Sequence, residues 1–223
     1  MTKNIIYQAL VKFIYGVVII GLLVFLPAGS IHYWQGWVLM CTMFVPIAIS
    51  GMIMLWRSPE LLIKRLRSKE KEKEQKFVLW LSGIMFVCMF ILAGLNHRFA
   101  LLPIPDSIVW GAVGVYLLGY ALYAEVLREN IYLSRIIEVT EGQQLISTGL
   151  YSIVRHPMYS STLLMFLSMP LILGSPLSFL VMLAYLPIIH LRIKNEEKIL
   201  EKGLAGYVEY KRVVKYKIVP YLW

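Results

Sequence analysis

Arg155-His156-Pro157-Met158-Tyr159 opens an apolar run that continues to Leu173, Gly174-Ser175-Pro176 breaks it, and a second apolar run reaches His190 before Arg192-Ile193-Lys194-Asn195-Glu196-Glu197. Both runs suit membrane helices, and the Gly-Ser-Pro turn signal folds them into a tight helical hairpin. The two chain ends of that hairpin then lie side by side, and both are polar. Ionisable groups therefore gather where two membrane helices meet water, the arrangement of an active site at a membrane boundary.

The rest of the chain reads the same way. Of 223 residues, 59% are hydrophobic and 16% charged, and the mean hydropathy is +0.69. A soluble domain has no interior large enough for that much apolar surface. Apolar runs occupy residues 5–26, 34–56, 77–96, 108–127, 158–174 and 176–191. They predict an all-α, polytopic membrane helical bundle of six spans, with five as the alternative count. The chain is a single integral membrane domain: residues 1–127 hold four spans and a loop at 57–76, and residues 128–223 form the catalytic half. The first run is read as a retained span and not as a signal peptide, because further spans follow at once. Cys41 and Cys88 stand far apart inside apolar runs, so they predict neither a disulfide nor metal-ligand spacing, and the expectation is two small buried hydrophobes.

Orientation follows from the cations, because Lys and Arg resist translocation. The N-terminal flank, the 57–76 loop, the 128–155 segment and the tail from Arg192 hold 21 of the 22; Arg98 alone falls on the other side. Six spans with both termini cytosolic explains this asymmetry. The net charge of +9 and pI near 9.5 then describe a cytosolic surface facing lipid headgroups, not a nucleic-acid site. Residues 59–67 mix apolar and basic positions behind Pro59, which suits a short interfacial helix, and the alternating charges of 69–74 suit a hydrated linker.

Each polar residue near the hairpin has an ordinary reading. Arg155 can anchor a span, Tyr151 and Tyr159 can be belt aromatics, and His156 can flank a helix that starts at Pro157. Arg192 and Glu196 share a helix face and can form a plain ion pair, as can Glu125 and Arg128. Glu197 points about 100° away from Glu196, so only one of them can face a given site, and Glu196 is the choice. His190, deeper in its run, is expected to be buried and hydrogen-bonded to a neighbouring helix.

Taken together the residues are far more specific. Asn130, the segment Glu141-Gly142-Gln143-Gln144-Leu145-Ile146-Ser147-Thr148-Gly149-Leu150-Tyr151, then Arg155-His156-Pro157-Met158-Tyr159, then Arg192 with Glu196-Glu197, and finally Tyr207-Val208-Glu209-Tyr210-Lys211-Arg212 running to Pro220, form one ordered set. Over residues 125–220 this set resembles the isoprenylcysteine carboxyl methyltransferase family and its bacterial relatives, membrane enzymes that use S-adenosylmethionine. Leu150 stands where that family often has proline, and Ser160-Ser161 where it has glycine. The resemblance implies a cofactor pocket lined by Gln143, Gln144, Leu145, Ile146, Tyr151, His156, Pro157, Met158, Tyr159 and Glu196. It assigns Arg192 to the acceptor carboxylate, with Arg192 and Glu196 as the catalytic pair. Such a pocket suits the cofactor: residues 143–146 with Tyr151 offer a hydrogen-bonding strip, the helix start at 156–159 attracts a carboxylate, and Glu196 meets an ammonium group.

The expected partner is a lipophilic small molecule or lipidated acceptor that enters from the membrane lipids, while the cofactor enters from the cytosol. An ionised carboxylate needs no general base, whereas an amine acceptor would need one, with Glu197 or His190 as candidate. Three alternatives stay open: a sterol-type reductase using NADPH, a phospholipid N-methyltransferase, and a non-catalytic membrane protein. Gly111, Gly114 and Gly119 mark a place for close helix packing in the fourth span.

Overall fold

A computed structural model describes residues 2–66, 73–133, 139 and 141–223. Helix α1 spans Thr2–Ala28, α2 Trp34–Arg57, α3 Pro59–Leu66, α4 Lys73–Phe99 and α5 Asp106–Glu129. In the second half α6 spans Pro157–Ile172, α7 Pro176–Met182, α8 Tyr185–Gly203 and α9 Tyr207–Val213, with a single 3-10 turn at Gly149–Ser152. The described residues form an all-α bundle, and large apolar side chains such as Leu26, Trp56 and Trp110 stay exposed on its flanks. On a membrane span such side chains meet lipid, and the backbone is satisfied within each helix.

Five stretches among the described residues are long and apolar enough to cross a membrane: Ile6–Ala28, Trp34–Arg57, Gln75–Phe99, Asp106–Glu129 and Pro176–Gly203. The count of six spans is therefore corrected to the alternative of five, and the difference lies at the hairpin. Its first arm, α6, has 16 residues and is about 24 Å long, against a hydrocarbon core of about 30 Å. Its second arm breaks at Leu183 and Ala184, just before Pro187, which has no N–H to offer the carbonyl of residue 183. The helix then continues to Gly203, because residues 191–202 contain no proline or glycine to stop it.

Short as it is, α6 runs from one end layer of the bundle to the other. At its far end the Tyr33 hydroxyl donates to the Leu173 carbonyl. Asn96 Nδ2 donates to the carbonyls of Gly174 and Leu102, each at 3.2 Å, which ties the hairpin turn to the α4–α5 connection. Along its length α6 lies on α5. Gly119 allows this contact, since a Cβ there would sit 2.9 Å from Met165 Cγ and 3.0 Å from the Ser161 carbonyl. Gly111 and Gly114 have open space beside them, so the expected close packing rests on Gly119 alone. Buried Phe90, Tyr116, Met165, Ile172, Ile189 and Ile193 form the core that joins α4, α5, α6 and α8.

Two smaller expectations change. Cys41 and Cys88 are free and exposed on the apolar flanks, not buried. The interfacial helix is present as α3, but Arg67 and residues 69–72 of the charged linker lie outside the described residues.

Candidate active site

The site forms at the end of the bundle where α5 stops, α6 starts, and the polar half of α8 meets α9. Gly149 turns the chain at φ +58°, and a Cβ there would collide with the Glu129 carboxylate. Both oxygens of Glu129 accept the Leu150 backbone N–H, at 3.1 and 3.0 Å. Tyr151 is thereby set between two partners: its hydroxyl accepts from Asn130 Nδ2 at 2.9 Å, and its carbonyl accepts from the Tyr210 hydroxyl at 2.7 Å.

Behind this turn lies a buried ionic hub. Arg155 Nε donates to Glu197 Oε1 at 2.9 Å, and His156 Nε2 lies 3.2 Å from the same oxygen. Lys211 and Lys217 approach the other oxygen at 3.6 and 4.0 Å. Arg155 also donates through Nη1 to the carbonyls of Val214 and Lys215, at 2.7 and 2.8 Å. The backbone N–H groups of Arg155 and His156 reach the carbonyls of Tyr216 and Lys217, each at 2.9 Å. Arg155 is thus a buried fastener for the tail and not a surface anchor. Glu197, the carboxylate set aside by the face argument, organises this network.

Glu196 faces the other way. Its Oε2 accepts from the Tyr159 hydroxyl at 2.5 Å, and Arg192 Nε donates to that hydroxyl at 2.9 Å. Tyr159 bridges the two charged groups that the sequence places one helical turn apart. The Arg192 guanidinium also sits 6.0 Å from the Tyr159 ring centroid.

Together these elements enclose a cavity of about 830 Å³ that is open on one side. Gln143, Gln144, Leu145, Ile146 and Tyr151 line one wall; His156, Met158, Tyr159, Arg192 and Glu196 line the other. Pro157 is buried as the first residue of α6 and does not line the cavity. Sequence reasoning left out Leu200, Leu204, Tyr207 and Tyr210 on the wall. The first two were legible: 192, 196, 200 and 204 repeat at four-residue spacing, so one helix face carries the wall onward. Leu204, Tyr207 and Tyr210 also make a small apolar cluster with Leu145. Burial holds both phenols above their usual pKa. At Tyr207 the Glu197 and Glu196 charges add to this. At Tyr210 the Tyr151 phenol does so, against an opposing effect of Arg155. Both phenols stay protonated.

His190 leaves the site, and the local pair expected at Glu125 is formed. His190 is exposed and stacks on Trp223 at 5.8 Å, not buried as expected. Glu125 and Arg128 form an exposed local pair.

The class of molecule follows from fold and apolar flanks: an integral, multi-pass α-helical membrane protein with a mixed polar and apolar cavity at one end. Comparison with known proteins gives its relations. Residues 108–205 match the family model described as phospholipid methyltransferase. Over 90 residues, 39% of this chain, it is 32% identical to the Delta(14)-sterol reductase TM7SF2 of Mus musculus. The chain spans about a fifth of that relative's length, the aligned part being 22% of it. These relations correct the family suggested by the motifs. The likeness is to the phospholipid methyltransferase model and a sterol reductase, not to the isoprenylcysteine carboxyl methyltransferases. The motifs that carried that resemblance fall largely within the matched region.

Proposed function

We propose that this protein transfers a methyl group from S-adenosylmethionine to a phospholipid headgroup amine. The observation that carries the reading is the Arg192–Tyr159–Glu196 arrangement on the cavity wall, at the membrane-boundary end of a region matched by the phospholipid methyltransferase model. The cavity suits such a donor. Its walls are aromatic and aliphatic, and it offers a buried hydroxyl without a partner among the described residues. Tyr151, His156, Met158 and Tyr159, with residues 143–146, would hold it. When bound, S-adenosylmethionine supplies an electrophilic methyl group.

The chain's own residues account for the remaining needs. An amine acceptor carries a proton that must leave before its nitrogen lone pair is free, so a base is required. Glu197 is committed to Arg155 and His156, and His190 is exposed and stacked away, which leaves Glu196 as the carboxylate on the wall. Its Oε1 would take that proton while the Tyr159 hydroxyl holds Oε2. Arg192, one turn away, would bind the headgroup phosphate through a planar donor fork. A zwitterionic headgroup thus meets a cation and an anion in matching order. In this reading both termini are cytosolic, the cavity opens to the cytosol, and the acceptor comes from the bilayer.

A second reading has one specific observation behind it, the identity to a sterol reductase, whose chemistry would call for NADPH. A 2′-phosphate needs a cationic cluster, and the wall brings Arg155, held by Glu197 and the tail carbonyls, and Arg192, which donates to the Tyr159 hydroxyl. Thermal shift of the purified protein with S-adenosylhomocysteine and with NADPH decides between them. Stabilisation of about 2.7 kcal/mol at a hundredfold excess over Kd is expected with the first alone. Stabilisation by NADPH alone would replace methyl transfer with reduction.

A further inference from the structure

We infer that the Tyr207 hydroxyl is a ligand contact, donating a hydrogen bond to the adenosine part of the bound methyl donor. The inference rests on the methyltransferase reading and adds a residue to it. Tyr207 is 3% exposed, it lines the cavity, and its hydroxyl is buried with no hydrogen-bond partner among the described residues.

That orphan is not a general property of its surroundings. Tyr210, one turn further along α9 with its ring 5.8 Å away, is buried too, yet its hydroxyl donates to the Tyr151 carbonyl at 2.7 Å. Both carboxylates nearby have other partners: Glu197 holds Arg155 and His156, and Glu196 holds Tyr159. The tyrosine is also firmly placed. Gly206 adopts φ +80° as the cap of α9, and the Tyr207 backbone N–H donates to the Leu204 carbonyl at 3.2 Å. A buried hydroxyl with no partner destabilises the empty protein, and a bound acceptor removes that cost. The ring nitrogens and ribose oxygens of adenosine are such acceptors, and the Leu145, Leu204 and Tyr210 side chains beside Tyr207 offer an apolar bed for the base.

The test is Tyr207→Phe, which keeps the ring and removes only the hydroxyl, studied in the full-length protein in detergent. Titration calorimetry with S-adenosylhomocysteine should show affinity about five- to tenfold weaker than wild type. Melting without ligand should be unchanged or higher, because the variant loses an unsatisfied group and no internal bond. A contact that served only the fold would move the two readouts the other way. Wild-type affinity in Tyr207→Phe would overturn the inference and leave the methyl-donor reading standing. A lower melting temperature of the empty variant would also overturn it, by revealing an internal partner. Failure of the wild type itself to bind S-adenosylhomocysteine would remove the methyl-donor reading, and this inference with it.

Discussion

Two hollows among the described residues differ in kind, and the larger of the two has the simpler walls. Between α1, α2 and α3 lies a groove of about 1360 Å³, walled by apolar side chains such as Leu10, Phe13, Phe44 and Ile47, with Lys12 as its cation. At the meeting of α5, α6, α8 and α9 lies the smaller cavity of about 830 Å³, which gathers Glu196, Arg192, His156 and five tyrosines. Volume does not mark a reactive site in a membrane protein, because lipid fills apolar gaps at little cost. Convergent polar groups do, since each must be placed and partnered to persist near the bilayer. Among the described residues of the groove, Lys12 Nζ donates to the Leu66 carbonyl. The cavity instead rests on a scaffold of buried ionic and tyrosine hydrogen bonds.

The sharpest break between the two regions should come from that scaffold. Arg155→Ala strands Glu197 in a buried position without its closest cationic partner and frees the carbonyls of Val214 and Lys215. Loss of about 3–5 kcal/mol is expected, read by denaturant titration in detergent. A loss below about 1 kcal/mol would mean that the remaining partners, His156, Lys211 and Lys217, hold the hub without it. Next comes chemistry without a stability cost. Glu196→Gln keeps the shape and an acceptor for the Tyr159 hydroxyl, so melting should hold while methyl transfer to a phospholipid amine falls about a hundredfold or more. Undiminished turnover would take the proton-accepting role away from Glu196.

What the sequence made legible divides along the same line. The α1, α2, α4 and α5 spans were readable because long apolar runs have one stable form in lipid, and each helix came within a few residues of its run. The hairpin arms were read less well. Apolar composition does not report that Pro187 shifts the helix start or that residues 192–203 extend α8 beyond the apolar run. At the cavity, the spacing of four puts Arg192 and Glu196 on one helix face, and both reach the Tyr159 hydroxyl. What the face argument for Glu197 did not reach was its partners, Arg155, His156, Lys211 and Lys217, which come from three other segments and share no local pattern with it. Tyr207 was quoted within a motif but given no role, since an unpaired hydroxyl is visible only once every neighbour has a position. The family suggested by the motifs was corrected by comparison with known proteins, because motifs that line a cavity do not name the acceptor.

A smaller effect should separate acceptor from donor within the cavity. Arg192→Lys retains the charge but loses the planar fork, and it weakens the hold on the Tyr159 hydroxyl. The Michaelis constant for the phospholipid should rise about tenfold, while S-adenosylhomocysteine affinity changes by less than about twofold. Loss of donor affinity with normal acceptor kinetics would reassign Arg192 to the donor side.

The smallest effect belongs to the groove, and it tests the comparison from the other direction. Ala48 lies in α2 on the groove wall, beside the space between Phe44 and Met52. Ala48→Trp places a large apolar ring in that gap without touching a polar group, so it displaces lipid and leaves the backbone hydrogen bonds intact. Stability should change by less than about 0.5 kcal/mol, as expected for an apolar surface position away from special features. Methyl transfer in bilayer nanodiscs should match wild type, because the residues proposed to bind and orient the acceptor line the other hollow. A several-fold rise in the Michaelis constant for a long-chain phospholipid, absent with a short-chain analogue, would show acyl chains using the groove on the way to Arg192. The two hollows would then be parts of one path, and the apolar one would contribute to selection of the acceptor.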